Sequence, residues 1–314
     1  MKRVNMFSAL WNRKDEMKVC VLISTYNGER FLEEQIASIM AQKGVEVDIL
    51  VRDDGSSDMT CSLLERWQKE GKLKWYKGEN LGFARSFMNL LKTASGYDYY
   101  AFCDQDDIWL EDKLQRAVAA LEKIEDKVKL YCSNVYYYKD GQTYGGIHHK
   151  AQVFDKYTCM MRNISPGCTM VMSSELRNLL VSALPERLIA HDFWVFQVAT
   201  LLGTVHYDFQ PSMLYRQHEN NQIGQKVSRK DIWKRRWKNI TSAKKVHERE
   251  YQAQELLRCF SPHFRPEEKA IVRQVADYRH SFRKKMRLIN DKRYTMGSRK
   301  ADFYVRMRLL MSKF

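Results

Sequence analysis

No stretch of this chain approaches the roughly 18 consecutive apolar residues that a bilayer-spanning helix requires. The basic N-terminus, Met1 to Met17, lacks an apolar h-region, so a secretory signal is not expected either. Paired cysteine motifs are also missing. The seven cysteines are an odd number without a Cys-x-x-Cys pair, which argues against both a disulfide framework and a zinc site. Cys20, Cys61, Cys103, Cys132 and Cys168 lie among apolar neighbours, where a reduced thiol packs as a small hydrophobe. A cytoplasmic protein is therefore expected. Neither Gly-x-Gly-x-x-Gly nor Gly-x-x-x-x-Gly-Lys-Ser/Thr occurs, so dinucleotide cofactors and P-loop hydrolysis lose support. Internal repeats and low-complexity segments are absent.

The 314 residues, 44% of them hydrophobic, suffice for one large domain, or for one domain with an appendage. The net charge of +15 is unevenly spread. From Lys226 to Phe314 there are 26 Lys and Arg against 9 Asp and Glu, a balance of +17; the first 225 residues balance at −2. That asymmetry marks a boundary around Gly224 to Ser228, and the chain is read as an N-terminal extension (1–17), a near-neutral region (18–225) and a basic helical region (226–314).

Within the near-neutral region, Val19–Ser24 reads as a buried strand ending in the turn Thr25-Tyr26-Asn27-Gly28. A second strand, Val47–Val51, ends in Arg52-Asp53-Asp54-Gly55-Ser56-Ser57-Asp58, whose last residue can cap the next helix. A short strand, Leu73–Tyr76, leads to Asn80-Leu81-Gly82-Phe83-Ala84-Arg85, and a fourth, Tyr99–Cys103, leads to Asp104-Gln105-Asp106-Asp107. Alternation of strand and helix at this pace implies right-handed βαβ units and a parallel sheet. All four polar turns follow strands and so gather on one sheet edge, the expected place for a nucleotide. Further on, Tyr131–Tyr138 reads as a strand and Gly167–Met172 as another; a helix opens at His191-Asp192, and Val205–Phe209 and Ser212–Arg216 read as two short strands.

Three acids within four residues repel one another, so a fold that gathers them calls for a cation. A hard ion such as Mg²⁺ or Mn²⁺ suits one or two carboxylates together with substrate phosphates. The alternative is a solvated acidic loop that caps the helix beginning near Glu111.

Taken in order, Ser24–Gly28, Asp53–Asp58, Asn80–Arg85, Asp104–Trp109, His191-Asp192 and Tyr215–His218 resemble the inverting glycosyltransferases of family 2. The resemblance spans about Lys18 to Gln225, and the Asp-Gln-Asp-Asp-x-Trp variant is similar to the rhamnosyltransferase-like branch that builds bacterial surface polysaccharides. It implies an α/β protein of the GT-A type, with a mainly parallel central sheet followed by a basic helical extension. It also implies a dTDP- or UDP-sugar donor, rhamnose among the candidate sugars, and a saccharide or lipid-linked acceptor.

By this resemblance Thr25, Tyr26, Asp53, Asp54, Arg85 and Asp104 bind the nucleotide-sugar. Asp106 and Asp107, with His218, hold the metal; Asp192 is the general base; His191 and Trp194 shape the acceptor pocket. Plainer roles stand beside these: Tyr26 in an ordinary turn, Arg85 on a solvated helix face, Asp192 as a helix cap, His218 as polar surface. An inverting transfer needs one carboxylate to accept the acceptor's hydroxyl proton, and a metal-bound diphosphate leaves without protonation. A nucleotidyltransferase acting on a sugar phosphate is the alternative enzyme, although Ser24–Gly28 carries no Gly-rich basic loop.

In the basic region, cationic runs are interleaved with Trp233, Trp237, Phe282, Tyr294, Phe303 and Tyr304. Such helices suit an anionic membrane surface, which would make the protein peripheral on the inner face of the cell membrane. A helical bundle packed on the catalytic region is a second reading. Nucleic acid, the third, is not an expected partner.

Overall fold

The computed structural model describes residues 16–218 and 247–314. The N-terminal extension up to residue 15, the 225/226 boundary, Trp233 and Trp237 lie outside the described residues.

Four strands build the parallel half of the sheet: β1 (Lys18–Thr25), β2 (Glu46–Asp53), β3 (Lys74–Lys77) and β4 (Tyr99–Cys103), in spatial order β3-β2-β1-β4. Helices α1 (Leu32–Met40), α2 (Thr60–Lys69) and α3 (Phe83–Thr93) make the crossovers. Beyond β4 the order continues β8 (Val171–Ser173), β6 (Lys129–Lys139), β9 (Thr204–Arg216) and β5 (Ile108–Trp109), with β7 (Gln142–Tyr144) paired to β6. β8 runs antiparallel to both neighbours, whereas β6 and β9 are parallel.

The unbroken apolar runs of β1 and β4 follow from burial on both faces. Successive side chains alternate between two cores. Cys20, Leu22, Tyr100 and Phe102 enter one; Val19, Val21, Ile23, Tyr99, Ala101 and Cys103 enter the other. The second core is closed by α1 and α4 (Lys113–Leu121). The first receives α3, α5 (Ser174–Ser182), α6 (His191–Leu202) and the helices that follow residue 247.

Those last helices are α7 (Glu248–Phe260), α8 (Pro266–Ala276), α9 (Phe282–Asn290) and α10 (Arg299–Leu310). Serine caps start α9 and α10, where the Ser281 and Ser298 hydroxyls accept from the backbone N–H three residues on. Their inner faces share the α6 core: Phe260 lies 5.8 Å from Trp194, ring to ring. The Gln252 amide also donates to that of Gln197.

Two expectations are revised. The segment read as two strands around Pro211 is the single strand β9, which stays paired to β6 through a register shift near Asn134. Gly167–Thr169 forms a 3-10 turn, and only Val171–Ser173 is strand.

Candidate functional site

The turns after β1 and β2 are laced together by side chains. Asn27 takes φ of +50°; its N–H donates to Ser56 Oγ (2.9 Å), and its own Oδ1 accepts from Ser57 N–H (2.9 Å). Gly28 N–H donates to Thr60 Oγ1 (2.8 Å). Asp58 accepts from Glu29 N–H and Thr60 N–H, holding the start of α2 against the first turn.

Within this lacework Asp53 is fully buried and accepts from Thr25 Oγ1 (3.1 Å), Gly55 N–H (3.1 Å) and Ser56 N–H (2.8 Å), as well as from the Ser56 hydroxyl. Burial pushes its carboxyl up, but these donors outweigh that and hold it below the usual carboxylate range. Asp54 is equally enclosed. It pairs with buried Arg52 and accepts from the N–H groups of Leu81 (3.0 Å) and Gly82 (2.8 Å). Thr25, Asp53 and Asp54, expected at the nucleoside, are all engaged by protein groups: each Asp53 oxygen carries at least two donors, whereas Asp54 Oδ2 accepts only from Gly82 N–H among the described residues and keeps a lone pair for a ligand. Tyr26 differs, with its ring half exposed at the mouth of the turn.

The acidic loop is tied to the same turn by Gln105. Its Oε1 accepts from Tyr26 N–H (2.9 Å) and its Nε2 donates to Tyr26 C=O (3.1 Å). A Cβ on Gly28 would fall 2.3 Å from that Oε1, so a side chain at residue 28 would displace the clamp.

After the loop, β5 pairs with β9 and brings the end of β9 back over the carboxylates. Arg216 N–H donates to Asp107 Oδ1 (3.1 Å), and its Nε donates to Asp106 C=O (2.8 Å). His218 Nε2 stands 2.7 Å from Asp106 Oδ2, and its ring stacks on Phe31 at 5.1 Å. Asp107 points inward, 1% exposed, with Oδ2 lacking a hydrogen-bond partner among the described residues. Ligand atoms of Asp104, Asp107 and Cys168 lie within 4.8 Å of one another. Burial, then the charge of Asp106, raises both Asp104 and Asp107 above the ordinary range. Without a cation the cluster resists full ionisation, and a divalent ion would reverse that.

Asp192 sits in the first turn of α6, half-buried, accepting from Phe193 N–H (2.7 Å), with the Gly167 backbone and the Asn163 side chain close enough to favour its charge. Ala190, and not Asp192, is the capping residue. Burial pushes Asp192 up to about 6 despite these donors, and its charge is felt at Asp104. The candidate base and the acidic loop therefore share one field.

The acceptor-pocket expectation for His191 and Trp194 is corrected. Trp194 is fully buried in the α6–α7 core. His191 is 4% exposed, stacked on Phe87 at 4.1 Å and edge-on to Phe102 at 4.9 Å. Burial lowers its imidazole to about 3, so it stays neutral. It packs behind Asp192 against Gly167, where an added Cβ would lie 2.4 Å from His191 Nε2. Arg85 is exposed on α3, reaching only the Glu186 carbonyl at 3.5 Å.

Sequence reading missed Arg52, Lys113, Gln105, Cys168 and Arg216. Arg52 was legible only as a charge directly ahead of Asp53-Asp54. Lys113 resembled an ordinary surface residue of α4. It is fully buried, donating to Cys168 C=O (3.0 Å) and Ser212 Oγ (3.3 Å), with Nζ 4.6 Å from the Trp109 ring centroid. Desolvation lowers it to about 8.

A family model described as "Glycosyl transferase family 2" matches residues 20–180. Among curated proteins, a dTDP-rhamnosyl transferase, RfbG of Shigella flexneri, is 34% identical over 231 residues, which cover 68% of this chain and 77% of that protein. Among solved structures, S. aureus TarS 1-349 in complex with UDP-GlcNAc superposes with a TM-score of 0.55 at 17% identity, covering 95% of this chain and 90% of that one. The mannosyltransferase PcManGT from Pyrobaculum calidifontis, in complex with GDP-Man and Mn2+, does so with a TM-score of 0.51 at 17% identity, covering 96% and 82%. These two likenesses carry the fold.

Proposed function

Because the chain belongs to glycosyl transferase family 2 and is thus a glycosyltransferase, we propose that it is a metal-dependent, inverting rhamnosyltransferase. Its donor is a dTDP-sugar in this reading, and its acceptor a saccharide or lipid-linked glycan of bacterial surface polysaccharide synthesis. The observation that carries it is the meeting of Asp106 and His218, 112 residues apart in sequence, beside an acidic cluster that senses Asp192. The rhamnosyl transferase relative favours the sugar and the nucleotide. Membership in the family removes the nucleotidyltransferase alternative.

The residues present fit a divalent ion. Asp106 and His218 offer an oxygen and a nitrogen side by side, and the buried, unpartnered Oδ2 of Asp107 lies behind them. When bound, Mg²⁺ or Mn²⁺ would neutralise charge on the departing diphosphate as a Lewis acid. Tyr26 offers its exposed ring to the base, and Asp104 can accept from nucleoside hydroxyls. Asp192 takes the acceptor's proton as the hydroxyl oxygen attacks the anomeric carbon. The Phe193 N–H keeps its carboxylate aimed, and a value near 6 leaves it ionised at neutral pH while retaining basicity. No helix among the described residues is long and apolar enough to cross a membrane; a cytoplasmic, membrane-peripheral location is part of the proposal.

The test is incubation with dTDP-, UDP- and GDP-sugars, reading released nucleoside diphosphate with and without chelator. Release from dTDP-rhamnose alone, restored after chelation by Mg²⁺ or Mn²⁺, is expected. Undiminished turnover in excess chelator would remove the metal from the proposal, and a preference for another donor would remove rhamnose.

A further inference from the structure

Helices α8 and α9 lie side by side and leave a groove of about 560 Å³ between them. Lys269 and Arg273, four residues apart on α8, stand on one wall; Lys284 and Arg287, three apart on α9, stand on the other. Such spacings put each pair on one helix face. Phe264, Pro266 and Ala270 add apolar surface to its lining, beside Gln274.

Acidic residues nearby do little to neutralise it. Glu268 turns away to Lys156 and Arg265, Glu250 to Arg279, and Asp291 to Arg293. Among the described acidic residues only Asp277 lines the groove, where it pairs with Lys284 at 3.2 Å. Lys269, Arg273 and Arg287 have no side-chain partner among the described residues. Cations contributed by two neighbouring helices beside apolar surface complement an amphiphile, with the phosphate on the cations and hydrocarbon on the apolar surface. A free anion would use the cations and leave the apolar surface idle. The outer face of α10 adds to the case: Phe303 and Leu310, seven residues apart, are 62% and 46% exposed, while Val305 and Leu309 turn into the core.

We propose that the α8–α9 groove binds the phosphate headgroup of an anionic phospholipid and so docks the protein on a membrane surface. The argument is independent of the donor and metal assignments made above. It also narrows a diffuse charge of +17 to four named side chains.

The experiment is co-sedimentation of the full-length protein with vesicles of phosphatidylcholine, alone or containing phosphatidylglycerol. The groove variant K269E/R273E is compared with K123E/K127E, a double reversal at exposed lysines of the catalytic region. Binding to the phosphatidylglycerol vesicles is expected, weakening with salt as the Debye length falls. The groove variant should lose on the order of tenfold or more in partitioning, the control far less, with both retaining the wild-type melting temperature. R273Q/R287Q, which removes charge without reversing it, should give an intermediate loss. Equal loss in groove and control variants would overturn the proposal, as would binding to neutral vesicles alone. Saturation by inorganic diphosphate without vesicle binding would assign the groove to a soluble anion and overturn the lipid assignment. Tight RNA binding lost in the groove variant, again without vesicle binding, would overturn it in favour of nucleic acid.

Discussion

Replacing Asp192 by asparagine separates catalysis from architecture, because the two roles predict opposite changes in stability. The carboxyl is raised from 3.8 to about 6 chiefly by burial. Between those values the native state binds a proton that the unfolded chain has released, so stability falls as pH rises through this window. About 2 pK units at 1.36 kcal/mol each place an upper bound of roughly 3 kcal/mol on what the ionised form costs the fold at pH 7. Asp192→Asn keeps an oxygen for the Phe193 N–H and removes that charge. The variant should therefore be more stable than wild type at pH 7, with the gain shrinking towards pH 4. Sugar transfer should fall by about 10²- to 10⁴-fold, the usual loss for a positioned base, while nucleotide affinity stays within a few-fold. The wild-type rate should rise with pH and level off above about 6. Urea denaturation at two pH values, calorimetric nucleotide binding and a pH–rate profile cover these outcomes. A variant that is less stable, and that loses nucleotide affinity in step with rate, would refute the base assignment and leave Asp192 as a helix-terminal brace.

Chelation should abolish transfer, and Asp106→Asn should weaken donor affinity and turnover together, both measured by diphosphate release across a metal titration. Arg52→Met strands the buried Asp54 carboxylate; chemical denaturation should show a loss of about 3–5 kcal/mol, partly recovered in the Arg52→Met/Asp54→Asn double variant. Gly167→Ala drives a methyl into His191 Nε2 and the Cβ of Asp192. Steady-state kinetics should show kcat falling more than the KM for the donor, since the disturbance lies on the side of the base.

The parallel half of the fold was legible because β1 and β4 are apolar on both faces and each ends in an abrupt polar turn. The polar turns do converge on one edge, as the alternation of strand and helix implied. What the sequence could not convey was where the donors and acceptors of each polar group would come from. Asp53 and Asp54 read as ligand contacts in one dimension, and the fold adds partners from within the protein: Ser56, Thr25, Arg52 and the 81–82 backbone. Trp194 carried a warning that went unread. Helix α6 is apolar nearly all round, with ten of its twelve residues buried, and such a helix belongs in a core rather than on the wall of a pocket. Val205–Phe209 and Ser212–Arg216 read as separate strands, but Pro211 between them sits at a register shift and needs no ladder hydrogen bond, so β9 runs on.

The ammonium of Lys113, sealed under the acidic loop, bears on what happens between catalytic cycles. Under the proposed mechanism, loss of a divalent ion with the departing diphosphate would leave an acidic cluster that resists full ionisation. Here a buried charge, anchored by Cys168 C=O and Ser212 and seated on Trp109, lies close enough to feel Asp107. The loop can then wait, already shaped, for the next donor and ion to arrive, and little ordering remains to be done when they do.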